Sequence, residues 1–185
     1  MNDDIIIENF KKGDVSTFDT LVLKYQDRIY TLCRYMLGNP QDAEDAAQET
    51  FIKAFRGLGS FTPTSSFYTW LYRITVNTCL DHKRKNSFLT FTFSSDNKTS
   101  LEDFLSHTPT PEAALVTKQS AQVLRVALSR LSTKLRTALV LKEMEGLSYE
   151  EIAEVLDVSM GTVKSRISRA REELGKILQK ITEQK

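Results

Sequence analysis

The chain has 185 residues, 41% hydrophobic and 26% charged, and a formal net charge of +1, which fits one large or two small globular domains and excludes a disordered or fibrous polymer. No apolar run approaches the roughly 18 to 20 residues that span a bilayer. The opening MNDDIIIENFKKGD is acidic and carries only a three-residue apolar run, unlike a signal peptide, so a cytoplasmic protein without membrane insertion is expected.

Scarce Gly (7) and Pro (4) favour helices over turn-rich β architecture. Cys33 and Cys79 are too few for a disulfide framework and are expected as buried or half-buried thiols. Residues 14–37 repeat apolar side chains at helical spacing, with Asp14 or Ser16 as the expected N-cap. Gly38 suits a left-handed C-cap. Asp42 then caps a second helix, whose inner face is Ala43, Ala47, Phe51, Ala54 and Leu58. Asp45, Gln48, Glu49, Ile52 and Lys53 lie away from that face, an arrangement that fits a protein-binding surface or a solvated one.

GSFTPTSS (59–66) reads as a loop, and FYTWLYRITVNTCLDHKRKN as a third helix ending in Lys83, Arg84 and Lys85. On its wheel Tyr68, Tyr72, Thr75 and Thr78 share one edge, and Trp70, Ile74 and Asn77 another. About half of these rings are expected in the core. Aromatics followed by cations also suit unstacked bases, which stack on rings while cations hold the backbone. From about 86 to 112 no period holds, and FLTFTF (88–93) is expected as a loop docking its phenylalanines, not a strand. Helical spacing returns from 113, with Leu115, Val123, Val126, Ala127, Leu131 and Leu135 on one long or broken helix.

Three shorter helical units follow. Gly146 ends the first; Ser148 caps the second, with Glu151 completing a capping box; DVS is a tight turn. A short helix, a turn and a second helix form a helix-turn-helix candidate, with Ile152, Ala153, Leu156, Val158, Val163, Ile167, Ala170 and Leu174 inward. Residues 142–157 hold one base and six acids, whereas 158–171 hold four bases and no acid, which argues against a uniform solvated coat. Ser165, Ser168 and Arg169 oppose the apolar stripe, Lys164 and Thr162 flank them, and Arg166 and Arg171 border the stripe. An outer helix face of this composition can meet base edges in a major groove while flanking bases meet phosphates. The expectation is an all-α chain: two small helical domains, 1–87 and 113–185, joined by a flexible linker, 88–112.

Three segments, DAEDAAQETFIKAFRGL, SSFYTWLYRITVN and LVLKEMEGLSYEEIAEVLDVSMGTVKSRISRAREEL, together resemble the extracytoplasmic-function (group IV) sigma factors of bacterial RNA polymerase. The resemblance runs from about 9 to 178 in the family's order. It implies a region 2 helical bundle and a region 4 helix-turn-helix, with no cofactor, metal or catalytic residue. Asp45, Gln48, Glu49, Ile52 and Lys53 would bind the β′ clamp of core polymerase, and region 4 would meet the β flap. Promoter DNA would be read at the −10 element by Phe61, Ser65, Ser66, Phe67, Asn77, Lys83 and Arg84. At the −35 element it would be read by Lys164, Ser165, Ser168 and Arg169, with Thr162, Arg166 and Arg171 on phosphates.

In this family an anti-sigma factor commonly covers the polymerase-binding faces, and a stress- or envelope-responsive role with such a partner is implied. The chain departs from the family pattern at Pro63 and Thr64, where Arg-Gly-Asp-like residues are common, at Leu131-Ser132 in place of Leu-Pro, and at Asp157 in place of Gly. A stand-alone helix-turn-helix regulator would leave SSFYTWLYRITVN unexplained. Cys79, Asp81, His82 and His107 match no zinc spacing.

Overall fold

The structure is a computed structural model describing residues 2–63, 65–93 and 122–183. All regular elements among them are helical. The N-terminal segment forms a helix that its short apolar run does not signal, α1 (Asp3–Lys11). The Asn2 side chain accepts from the Asp4 amide, Asp3 and Asp4 sit at the positive end of the helix dipole, and Ile6 and Ile7 are buried.

The second helix, α2 (Phe18–Leu37), starts later than its expected caps. A 3-10 turn over Val15–Thr17 precedes it, and Asp14 accepts the Ser16 hydroxyl at 2.6 Å, so both side chains close that turn instead of capping the helix. Gly38 ends it with φ 87°, a conformation open to glycine at little cost. The third helix, α3 (Pro40–Leu58), begins two residues before Asp42. Its cap is Asn39, whose side chain accepts from the Gln41 amide at 2.9 Å. Pro40 fits at the first helical position because its missing N–H would have no partner there.

The fourth helix, α4 (Phe67–Phe93), runs through FLTFTF, where a loop was expected. No Gly or Pro interrupts this span, and extending a formed helix costs far less than nucleating one. Leu115 lies outside the described residues. The helical spacing beyond it resolves as a broken helix: α5 over 122–129, a turn, then α6 (Thr133–Glu143). The last two helices are α7 (Tyr149–Leu156) and α8 (Met160–Glu183).

In the first half α2, α3 and α4 pack as a bundle, with α1 against α2 and α3. Ala43, Ala46 and Ala54 are fully buried on α3, and their small size lets the neighbouring helices approach. Leu21, Ile29, Leu32, Met36, Leu58 and Leu71 fill the remaining space. Each such side chain contributes about 1.5–3 kcal/mol on leaving water. Cys33 and Cys79 are both fully buried, with their sulfurs 3.5 Å apart across α2 and α4. The hydrogen bond between them, then burial, holds the Cys33 thiol far above its ordinary pKa.

In the second half α6, α7 and α8 enclose Ala138, Leu141, Leu147, Ile152, Val155, Val163, Ile167 and Ala170. Val155, not Ala153 or Leu156, is the second deeply buried residue of α7. The halves also pack on each other, α4 on α7 and α2 on α6, and their buried residues form one continuous cluster.

Candidate nucleic-acid and polymerase interfaces

The helix-turn-helix is built by local chemistry. Ser148 accepts the Glu151 amide at 3.1 Å, and Glu151 accepts the Ser148 amide at 2.7 Å, so the capping box fixes the start of α7. Asp157 ends it in the left-handed conformation, φ 51° and ψ 54°. Its short polar side chain tolerates that geometry where most residues would strain. Ser159 accepts the Thr162 amide at 3.2 Å and so starts α8.

On α8, Val163, Ile167 and Ala170 point into the core, which forces Lys164, Ser165, Ser168 and Arg169 outward, and all four are exposed. The Lys164 ammonium lies 5.9 Å from the Tyr149 ring. Ser165 donates to the Thr162 carbonyl at 2.9 Å, and the Thr162 hydroxyl is engaged with Ser159 at the same distance. Arg171 is paired with Glu143 at 2.5 Å; both groups are exposed, so the pair is weak and open to exchange. Arg166 is half-buried and faces the first half of the chain, away from the outer surface.

Beside the outer edge of α4 lies an open cavity of ≈500 Å³ lined by Gly57, Thr62, Ser65, Trp70, Ile74 and Asn77 among others, with Glu154 of α7 at its side. Asn77 is exposed into it, as the wheel of the third helix implied. Gly57 permits its shape, since a Cβ there would meet Trp70 Cζ2 at 3.1 Å. Phe61 and Phe67 depart from their expected role. They are buried, with ring centroids 6.1 Å apart and 5.1 and 5.6 Å from Trp70. Buried rings have no face to offer a base, so they hold the loop and the indole in place. Ser66 is exposed and accepts the Thr69 amide at 3.1 Å.

The edge carrying Tyr72, Thr75 and Thr78 turns inward and is fully buried. Thr75 returns its hydroxyl to the Leu71 carbonyl at 2.8 Å, and Thr78 receives Lys53 at 3.1 Å. Arg84 is exposed and pairs with Asp81. Lys83 is half-buried and donates to Thr133 at 3.2 Å; burial, and then the nearby Arg136, pushes its pKa down to about 8.

On α3, Asp45, Gln48 and Ile52 are exposed, Ile52 to 51%. Glu49 and Lys53 are half-buried and tied to α4 as well as to each other. Glu49 pairs with Lys53 at 2.9 Å and His82 at 2.8 Å, and the hydrogen bond from Lys53, then that from His82, lowers the Glu49 pKa. His82 thus serves a helix–helix contact, and His107 lies outside the described residues. Among the described residues no group of three or more His, Cys, Asp and Glu could hold a metal, and no helix is long and apolar enough to cross a membrane.

The chain thus joins a helix-turn-helix with an exposed basic face, the arrangement of a DNA-binding protein, to a helical unit with a polar cavity beside Trp70. Two family models match the chain, Sigma-70 region 2 over residues 21–88 and Sigma-70, region 4 over residues 121–174. The RNA polymerase sigma-H factor of Pseudomonas aeruginosa is 43% identical, over 96% of this chain and 94% of its own. The ECF RNA polymerase sigma-E factor of Escherichia coli is 39% identical, over 93% of this chain and 92% of its own.

Among solved structures, the sigma factor RpoE in complex with the anti-sigma factor NepR from Bartonella quintana matches with TM-score 0.74 and 28% identity, over 88% of this chain and 96% of that one. CnrH in complex with the cytosolic domain of CnrY matches with TM-score 0.70 and 27% identity, over 95% of this chain and 96% of that one. The chain belongs to the sigma-70 family of RNA polymerase sigma factors, in its extracytoplasmic-function branch. It is a transcription initiation factor that directs core polymerase to promoters.

Proposed function

We propose that this factor reads its −35 element through Lys164, Ser165, Ser168 and Arg169, with Thr162 and Arg171 on the phosphates; Arg166, turned into the cleft between the halves, takes no part. The −10 strand is held at Asn77, Ser65 and Ser66, with its backbone along Lys83 and Arg84, and an extruded base enters the cavity beside Trp70. Extrusion costs a few kcal/mol, which binding in the cavity offsets. Asp45, Gln48 and Ile52, with Glu49 and Lys53 behind them, dock on the β′ clamp. Residues 1–87 and 113–185 act as separate units, one on each element, and the factor works in the cytoplasm, where its polymerase is. It carries out no catalysis of its own.

The observation that supports this reading is the pairing of two unlike surfaces on one chain, an outward basic helix face and a polar cavity beside an indole. Two structural neighbours are complexes with a second protein, in one case named an anti-sigma factor. That, together with the exposed Ile52, supports control of this chain by an anti-sigma factor. Multi-round transcription with core polymerase on a randomised promoter library tests the reading. Recovery of paired −35 and −10 elements is expected, and DNA footprints formed without polymerase would replace it with a stand-alone regulator.

A further inference from the structure

The first helix is fastened at both ends to the helices it lies on. Asp3 accepts the Lys24 ammonium at 2.6 Å and the Tyr25 hydroxyl, both from α2. At the other end the Phe10 ring meets Phe55 of α3 edge-on, with centroids 5.4 Å apart, and lies 6.0 Å from Phe18 of α2. Lys11, next in the chain, therefore departs from a fixed point. Lys12 turns back to Glu8 of α1 at 2.8 Å, an exposed pair of little worth. Lys11 instead crosses to the 59–66 loop. Its ammonium donates to the Phe61 carbonyl at 2.5 Å and stands 6.0 Å from the centroid of the Phe61 ring.

The loop cannot brace itself by an ion pair, since GSFTPTSS holds no charged residue. Its start is a turn, with the Phe61 amide donating to the Leu58 carbonyl at 3.2 Å. Its end is the first turn of α4, with the Trp70 amide donating to the Ser66 carbonyl at 3.1 Å. The buried Phe61 ring lies 5.1 Å from that of Trp70, and Phe61, Thr62 and Ser65 line the cavity together with the indole. A shift of the Phe61 backbone thus moves both the cavity wall and the ring that supports Trp70. A charged donor makes a stronger hydrogen bond than a neutral one, so an ammonium holds that carbonyl more firmly than an uncharged side chain would. Lys11 is itself exposed, so removing its charge takes nothing from the core.

We propose that Lys11 is a positioning residue for promoter opening: brought in by α1, it fixes the 59–66 loop at Phe61 and so sets the shape of the cavity that receives the extruded base. Its effect on DNA rests on the proposed assignment of that cavity to the −10 element; its hold on the loop is measured without DNA.

Trp70, the only tryptophan of the chain, is the probe. Acrylamide quenching of its fluorescence is expected to rise about twofold in Lys11→Met, as the loop opens locally, and to stay at the parental level in Lys11→Arg, which keeps a charged donor. With core polymerase and a base analogue in the −10 element, Lys11→Met is expected to open the promoter about fivefold more slowly, as for one lost charge-assisted hydrogen bond, and to relax the base preference at the captured position. Polymerase binding and competition by −35 duplexes stay parental. Parental quenching in Lys11→Met overturns the proposal, and so does a lowered unfolding temperature with parental base preference, which would make the contact structural only. Opening as slow in Lys11→Arg as in Lys11→Met overturns it too. Asn77→Ala separates the two layers, because Asn77 lines the same cavity away from Lys11. Slow opening with parental quenching in Asn77→Ala sustains the cavity assignment whatever Lys11 does. Raised quenching in Lys11→Met with parental opening in both variants leaves Lys11 on the loop and overturns the cavity assignment and the role in opening.

Discussion

Arg169 and Asn77 carry the sharpest residue-scale expectations because both are exposed and neither is needed for the core. Arg169→Ala is expected to cost about 1–3 kcal/mol at the −35 element and to relax selectivity there, as for a lost bidentate base contact. Competition between matched and scrambled −35 duplexes in the presence of core polymerase measures it; equal losses on both would reassign Arg169 to a phosphate. Asn77→Ala should leave core binding intact and slow promoter opening, read by the fluorescence of a base analogue in the −10 element. Loss of core binding would move Asn77 to the polymerase interface.

Lys83 supplies a pH dependence. Its folded pKa, about 8, lies below the ordinary 10.5, so the unfolded chain binds more protons between those values. Stability is therefore reduced fully below pH 8 and recovers as pH rises from 8 to 10.5. Unfolding followed across that window should show a smaller rise in Lys83→Met than in the parent chain.

Among the elements, α7 is the most exposed to a single change, because a helix of 8 residues is stabilised mainly by its ends and its packing. Ser148→Ala removes one half of the capping box and is expected to cost about 1 kcal/mol, visible in the thermal unfolding of the full chain. The unfolding midpoint should recover in Ser148→Thr, which keeps a hydroxyl acceptor. The elements also show how far local chemistry reads through from sequence. The capping box, the Asp157 turn and the Gly38 stop follow from residue type alone. The start of α3 does not follow from Asp42, since Asn39 and Pro40 satisfy the same end earlier. FLTFTF alternates like a strand, yet it continues α4 because a helix already formed carries it on. The start α1 makes at Asn2 rests on an N-cap and two first-turn acids, signals that are present in NDD but weak beside so short an apolar run.

For the whole molecule, the near-neutral charge acquires a physical sense. A chain of net charge +1 has little sequence-independent attraction to DNA, so its promoter contacts depend on polymerase to bring both surfaces into reach. Glu154 of α7 lines the cavity beside Trp70, and Arg166 lies in the cleft between the halves. The sequence by itself determined the helices apart from α1 and the far end of α4, the order of the two units and the outward basic face of α8, because each depends on residues close together in the chain. Only the tertiary structure decided that Phe61 and Phe67 are buried supports, that Glu49 and Lys53 tie α3 to α4, and that Glu145 and Arg136 join the halves. Those contacts span up to 100 residues of chain, and a side chain's burial depends on what the fold brings opposite it, which no local pattern records.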